Sequence, residues 1–172
     1  MAFSESVLEW QTFFSTLATA CATLIGLLFV AMSLSVNKMS ADEHKQLMRV
    51  ARDTLGHFLV VLMTSLMFLV PHLHPYGLAV AMFFIAIPWT IGASKRFIAV
   101  FRSRQHNAHA PNLLQSSGLS IVGGIGLTAV ALFVLFESVM GLYLLVGVFA
   151  TLLASATGTA WFLFSRLRGM AR

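Results

Sequence analysis

Few side chains in this 172-residue chain have the type and spacing for acid–base or metal chemistry. His57 is the most informative. It lies about one turn inside a long apolar stretch, and an ionisable group there is a functional candidate by default. Imidazole titrates near neutral pH, so His57 is a gating or pH-sensing candidate. The plainer alternative is a neutral ring that donates to a neighbouring hydroxyl. His72 and His74 flank Leu73, a spacing that can chelate one metal from an extended segment, but no third ligand stands near. His106 and His109 form a second pair with the same shortage, so no metal or other cofactor is expected. Glu137 is the only acid in the second half of the chain. It is either a hydrated turn residue or, in an oligomer, part of a ring that attracts cations at an outer mouth. Asp42, Glu43 and His44 are adjacent, but a helix start explains acids at that point.

Hydroxyls are patterned as well. Thr12, Thr16, Thr19, Thr23, Gly26, Ser33 and Asn37 recur at steps of three, four or seven, which puts them on one helix face. Lipid does not reward hydroxyls, so this face is expected to look at protein or water. It either packs against another helix or lines a pore where hydroxyls solvate a permeating species. Gly147, Thr151, Ser155 and Thr159 step by four near the other end, beside a ridge of Ala150, Ala154 and Gly158. Two ridges of small residues predict a close helix contact, within or between subunits. Ser117, Ser120, Gly123, Gly124, Gly126 and Thr128 make a third small-residue segment. It lacks the lysine and the preceding strand of a phosphate loop, which leaves packing, a local bend or a gate.

The elements that hold these residues follow from composition. The chain is 58% hydrophobic and only 10% charged, where soluble domains carry about 25% charged residues. No Asp, Glu, Lys or Arg occurs over 10–37, 54–94 or 105–165 except Glu137. A membrane helix needs about 20 apolar residues. The first stretch holds one span. The second holds two, divided by the breaker-rich segment Pro71–Gly77. The third is too long for one span and must turn near Glu137 and Gly141. The expected fold is an all-α polytopic membrane bundle in one domain, with five spans at about 12–36, 54–74, 77–100, 117–135 and 142–165.

All 11 Lys and Arg residues fall in Lys38–Arg52, Lys95–Arg104 and Arg166–Arg172. Five alternating spans put all three clusters on one side. Basic loops are cytoplasmic, so the N-terminus is expected outside and the C-terminus in the cytoplasm. The N-terminal segment has no basic region of the kind that precedes a cleaved signal, so the first span is expected to stay. Topogenesis accounts for the formal charge of +5, and nucleic acid is not an expected partner. Cys21 is the single cysteine, which leaves no intramolecular disulfide.

Ser40-Ala-Asp-Glu43 fits a capping box, and Leu47, Met48, Ala51 and Leu55 recur at helical spacing. One helix is therefore expected from about Ala41 to Val70, with its 41–53 part projecting into the cytoplasm. There Lys45, Arg49 and Arg52 would meet a protein partner or anionic lipid. The third span likewise runs on through Phe97, Val100 and Phe101 toward Arg104. Pro88 and Trp89 sit inside that span, where Pro predicts a kink. The 15 Phe residues are expected to face lipid or pack between helices.

The segment Ala22-Thr-Leu-Ile-Gly-Leu-Leu-Phe-Val-Ala-Met-Ser-Leu34 resembles one found in small bacterial integral membrane proteins without assigned function. The resemblance covers the first span and implies a bacterial inner membrane. It carries over no binding or catalytic residue.

No acid stands deep in a span, which argues against a coupled carrier. No catalytic set is present, and an enzyme is not expected. A membrane enzyme would have to lose its activity on substitution of His57 or of the Asp42–His44 group. The leading expectation is a homo-oligomeric pore for ions or small solutes. The alternative is an accessory or scaffold protein that binds through its basic cytoplasmic helix.

Overall fold

The computed structural model describes residue 7 and residues 9–35, 41–71, 74–103 and 110–170, with side chains for 7, 9–33, 48, 50–71, 74–99 and 118–161. Five helices follow one another: α1 Gln11–Ser35, α2 Ala41–Leu69, α3 Pro75–Ser103, α4 Ala110–Leu135 and α5 Met140–Met170. No strand occurs among the described residues. Each helix contains a segment of 18 to 25 residues that is apolar enough to cross a membrane. At about 1.5 Å per residue such segments match a hydrocarbon core of about 30 Å. By length and composition the chain is an integral membrane protein.

α2 starts at Ala41, where the capping pattern puts the first helical residue, and enters its apolar segment at Val50 without a break. α3 likewise runs past its apolar segment to Ser103, and it passes through Pro88 uninterrupted. α4 departs from expectation. It begins at Ala110, well before position 117 where the fourth span was expected to start. Pro111 falls in its first turn, where a missing N–H removes no helical bond.

The turn at Glu137 is as tight as the sequence requires. Ser138 N–H donates to Phe133 O at 3.0 Å and Glu137 N–H to Val134 O at 3.0 Å. Glu137 itself has φ 54°. These bonds form a Schellman motif with Glu137 at the left-handed position that glycine usually fills. Gly141 then lets α5 start against α4, since a Cβ there would lie 3.0 Å from Phe133 Cβ. At the other hairpin on this side, His74 caps α3. Its carbonyl accepts from Leu78 N–H, and its ring Nδ1 accepts from Tyr76 N–H at 3.4 Å.

α2, α5, α4 and α3 pack in that order, while α2 and α3 meet only locally. α1 lies outside this group and packs chiefly on α2. A stacked pair, Phe14 and Phe68 at 4.6 Å, fastens that contact, and Trp10 meets Tyr143 of α5 edge-on. Phe14, Met82, Leu127, Leu145, Phe149 and Leu152 are fully buried and fill the interior. Leu27, Phe29, Val80, Phe84, Phe136 and Trp161 point outward, as a lipid-facing surface requires.

α4 owes its central position to glycine. A Cβ on Gly124 would lie 2.5 Å from Thr90 Oγ1 of α3, and one on Gly123 would lie 2.5 Å from Leu152 Cδ2 of α5. The small-residue segment of α4 is thus a two-sided packing surface.

Candidate functional site: a buried histidine among four helices

His57 lies seven residues past Val50, where the apolar segment of α2 begins. It is 1% exposed. Both ring nitrogens are engaged. Nδ1 is 2.6 Å from the carbonyl oxygen of Asp53, one helical turn back. A carbonyl only accepts, so Nδ1 carries a proton. In the neutral ring Nε2 is then the acceptor. It lies 2.6 Å from Ser120 Oγ of α4 and 3.4 Å from Ser155 Oγ of α5. The plainer expectation for the imidazole is a neutral ring that donates to a hydroxyl. In the structure it donates to a carbonyl and accepts from the hydroxyl.

α3 closes the fourth side. Trp89 stands edge-on to His57, with ring centroids 5.0 Å apart. Gly56 makes this possible, because a Cβ there would lie 3.0 Å from the indole. Trp89 Nε1 is buried and meets no acceptor among the described residues. One helical step toward the basic end, Arg96 donates to Asp53 Oδ1 at 3.2 Å and lies over the Trp89 ring at 5.3 Å. Asp53 and Arg96 side chains are 33% and 40% exposed, so this ion pair forms a partly wet cap over the dry histidine.

Buried hydroxyls surround the site. Thr54 donates to Val50 O, and Thr159 donates to Ser155 O. A base held by a carbonyl and bonded to a serine has the connectivity of a nucleophilic dyad. Ser120 is 3% exposed, however. No substrate carbonyl can approach its hydroxyl in this packing. What the arrangement does chemically is join three helices through one ring whose donor–acceptor pattern depends on a single proton.

The two hydroxyl stripes divide differently. Thr12, Thr16, Thr19, Thr23, Gly26 and Ser33 of α1 are all exposed on the outside of the bundle. Four of their donors are engaged within the helix. Thr16, Thr19, Thr23 and Ser33 each donate to a carbonyl one turn back, at 2.8 to 2.9 Å. These four therefore do not need protein or water to satisfy their hydroxyl protons. On α5 the stripe splits. Gly147 is open, Thr151 is half-buried, and Ser155 and Thr159 are buried, with Ser155 at His57. Ala150, Ala154 and Gly158 face outward.

Glu137 is exposed at its turn. His74 stacks on Tyr76 at 5.2 Å while capping α3. No group of three metal-ligating side chains occurs among the described residues. Arg52 is exposed. Asn37, Ser40, His72, His106 and His109, and the side chains of Asp42, Glu43, His44, Lys45, Arg49 and Ser117, lie outside the described residues.

Asp53, Arg96 and Trp89 were legible only in part. Asp53 sits four residues before His57, and Arg96 seven after Trp89, so each pair shares a helix face. Both charges border apolar stretches and read first as topological markers. In comparisons with known proteins, the chain matches no family model, no curated protein and no solved structure.

Proposed function

We propose that the chain works as a homo-oligomer in a bacterial inner membrane, with the N-terminus outside and the C-terminus in the cytoplasm. The α1 faces of neighbouring subunits line a pathway for ions or small polar solutes. The observation that carries this reading is the position of α1. It packs chiefly on α2 and presents Thr12, Thr16, Thr19 and Thr23 outward, while the interior of the single subunit is closely packed, apolar apart from His57 and buried hydroxyls. A pathway then lies between copies around a symmetry axis. The donor bonds of Thr16, Thr19 and Thr23 back to the helix leave each of these oxygens a lone pair to offer a permeating cation or water. The basic clusters support the orientation, and the resemblance of 22–34 supports the bacterial setting.

The test is oligomeric state in lipid nanodiscs, followed by bilayer conductance. Thr19→Val with Thr23→Val should change conductance and leave assembly intact. Strictly monomeric protein in native-like bilayers would overturn the reading.

A scaffold or accessory role is favoured by a different observation. The hydroxyl protons of Thr16, Thr19 and Thr23 are already satisfied, so this face can equally pack on a partner helix. α2 also extends about 13 Å beyond its apolar segment, nine residues at about 1.5 Å each. Charge reversal at Lys45, Arg49 and Arg52 should then release a protein partner or anionic lipid, while Thr19→Val and Thr23→Val either disrupt assembly or do nothing.

A further inference from the structure

We propose that His57 is a proton-operated clasp: protonation of its Nε2 breaks the tie from α2 to α4 and α5 and loosens the end of the bundle that holds Asp53 and Arg96. This goes beyond the pathway proposed above and holds whether or not subunits assemble.

The geometry carries it. In the neutral ring, Nε2 accepts the Ser120 hydroxyl proton at 2.6 Å, with Ser155 Oγ at 3.4 Å. Nδ1 is already committed as donor to Asp53 O at 2.6 Å. One added proton makes Nε2 a donor. The Ser120 hydroxyl must then rotate so that its oxygen accepts instead of donating, and what works against the tie is the new charge rather than the loss of a hydrogen bond. The new charge also sits in a dry position, which is costly unless it is paired or hydrated. The charged groups around it are few. α2 supplies Asp53, whose carboxylate is engaged by Arg96 from α3. α4 and α5 present hydroxyls at Ser120, Ser155 and Thr159. Between Thr12 and Ser33, α1 has one titratable side chain, Cys21. Among the described residues the nearest anion is therefore Asp53, and reaching it requires the carboxylate to turn from Arg96 or the ring to move toward the partly wet cap. Either motion withdraws His57 from α4 and α5. The proton comes from water at that cap, where Asp53 and Arg96 are about a third or more exposed. The Leu152 and Val148 side chains of α5 nest on Gly123 and Gly126, and Thr90 of α3 nests on Gly124, so α4 follows any shift of the neighbours it is seated against.

Trp89 reports the event, since it lies 5.0 Å from the ring. Imidazolium quenches indole emission by accepting an electron, and neutral imidazole does so far less. The experiment uses the full chain in nanodiscs with Trp10→Phe and Trp161→Phe, so that Trp89 is the only indole. Emission is followed from about pH 8 to about pH 5, the range in which histidine changes charge. Amide hydrogen exchange over 118–127 is followed in parallel and corrected for its intrinsic pH dependence. The expected result is a loss of Trp89 emission together with faster exchange at low pH, both absent in His57→Gln. Ser120→Ala keeps the imidazole and provides a second route. It should retain the quenching but exchange fast already at high pH, with no further change. Equal titrations in wild type and His57→Gln overturn the proposal. So does quenching without faster exchange, because the charge is then held without release. Should His57→Gln fail to fold, a Ser120→Ala protein with the wild-type pH dependence of exchange overturns it as well.

Discussion

Arg96 lies over the indole of Trp89, its guanidinium carbon 5.3 Å from the ring centroid, and from that position it reaches Asp53 on α2. This one side chain fastens two helices that otherwise touch little. The ion pair is too exposed to be strong: such pairs contribute about 0–1 kcal/mol, and an exposed cation–π contact adds about 0.5–1 kcal/mol. Asp53→Asn should therefore lower the stability of the folded protein in detergent by less than about 1 kcal/mol. Arg96→Ala loses both contacts and should cost about 0.5–2 kcal/mol. Arg96→Lys should fall between them, because an ammonium pairs with the carboxylate but cannot stack as a planar group. Denaturation in mixed micelles checks the ranking. Equal effects for the Asn and Ala substitutions would show that the indole contact contributes nothing.

The two serines at His57 differ in reach and should differ in consequence. Ser120 Oγ is 2.6 Å from Nε2, and Ser155 Oγ is 3.4 Å. Side-chain hydrogen bonds between membrane helices average about 0.6 kcal/mol and reach about 1.7 kcal/mol. Loss of the short one also leaves a buried acceptor less well satisfied. Ser120→Ala should destabilise by about 1–2 kcal/mol, and Ser155→Ala by about half of that or less. Unfolding at constant pH in micelles measures both. A larger loss in Ser155→Ala would mean that the longer contact holds the ring.

Much of this was legible before the structure. The spans follow from charge-free length, and the continuation of α2 from Ala41 follows from its capping pattern and the spacing of Leu47, Met48, Ala51 and Leu55. The turn at Glu137 followed from length alone, since one helix over 117–165 would overrun the bilayer. The start of α4 was missed because Pro111 is compatible with both a loop and a first helical turn. The site was half legible. His57 stands out as an ionisable group in an apolar stretch, but its partners lie 63 and 98 residues away. Ser120 looks in sequence like one more small residue in a glycine-rich helix. Its role depends on which helices become neighbours, and the order α2, α5, α4, α3 is a tertiary fact that no spacing encodes. The α1 stripe shows the opposite limit. Periodicity puts its hydroxyls on one face correctly, yet it says nothing of whether that face turns inward or outward.

Glycines that look alike in sequence should behave differently. At Gly124 an added methyl would meet Thr90 Oγ1 at 2.5 Å and the Thr90 Cα at 3.3 Å, and the backbone cannot swing aside. Overpacking of this kind costs about 1–3 kcal/mol, and Gly124→Ala should lose that much. Gly26 has nothing within 4 Å. Gly26→Ala should leave subunit stability unchanged or raise it by up to about 1 kcal/mol through helix propensity. Gly26→Ile separates fold from assembly. It should spare the subunit but weaken any oligomer that uses α1, which native mass spectrometry from nanodiscs reads directly. An oligomer indifferent to Gly26→Ile would place its contacts on another helix.

Glu137 is where turn geometry and the proposed cation mouth can be told apart. Its φ of 54° is a conformation that an L-residue adopts at a cost of about 1–2 kcal/mol and glycine adopts freely. Glycine gives back about 0.5–1 kcal/mol through its greater freedom in the unfolded chain. Glu137→Gly should therefore stabilise the protein by a few tenths to about 1 kcal/mol. Glu137→Gln keeps the side-chain length and the strained backbone, so it should leave stability unchanged. If a ring of these carboxylates concentrates cations at the outer mouth, both substitutions lower cation conductance at low ionic strength, and the effect shrinks as salt screens the charge. A turn-only role gives another pattern, in which Glu137→Gln is silent in every measurement and Glu137→Gly alters melting alone. Paired melting and conductance measurements on the two variants decide between them.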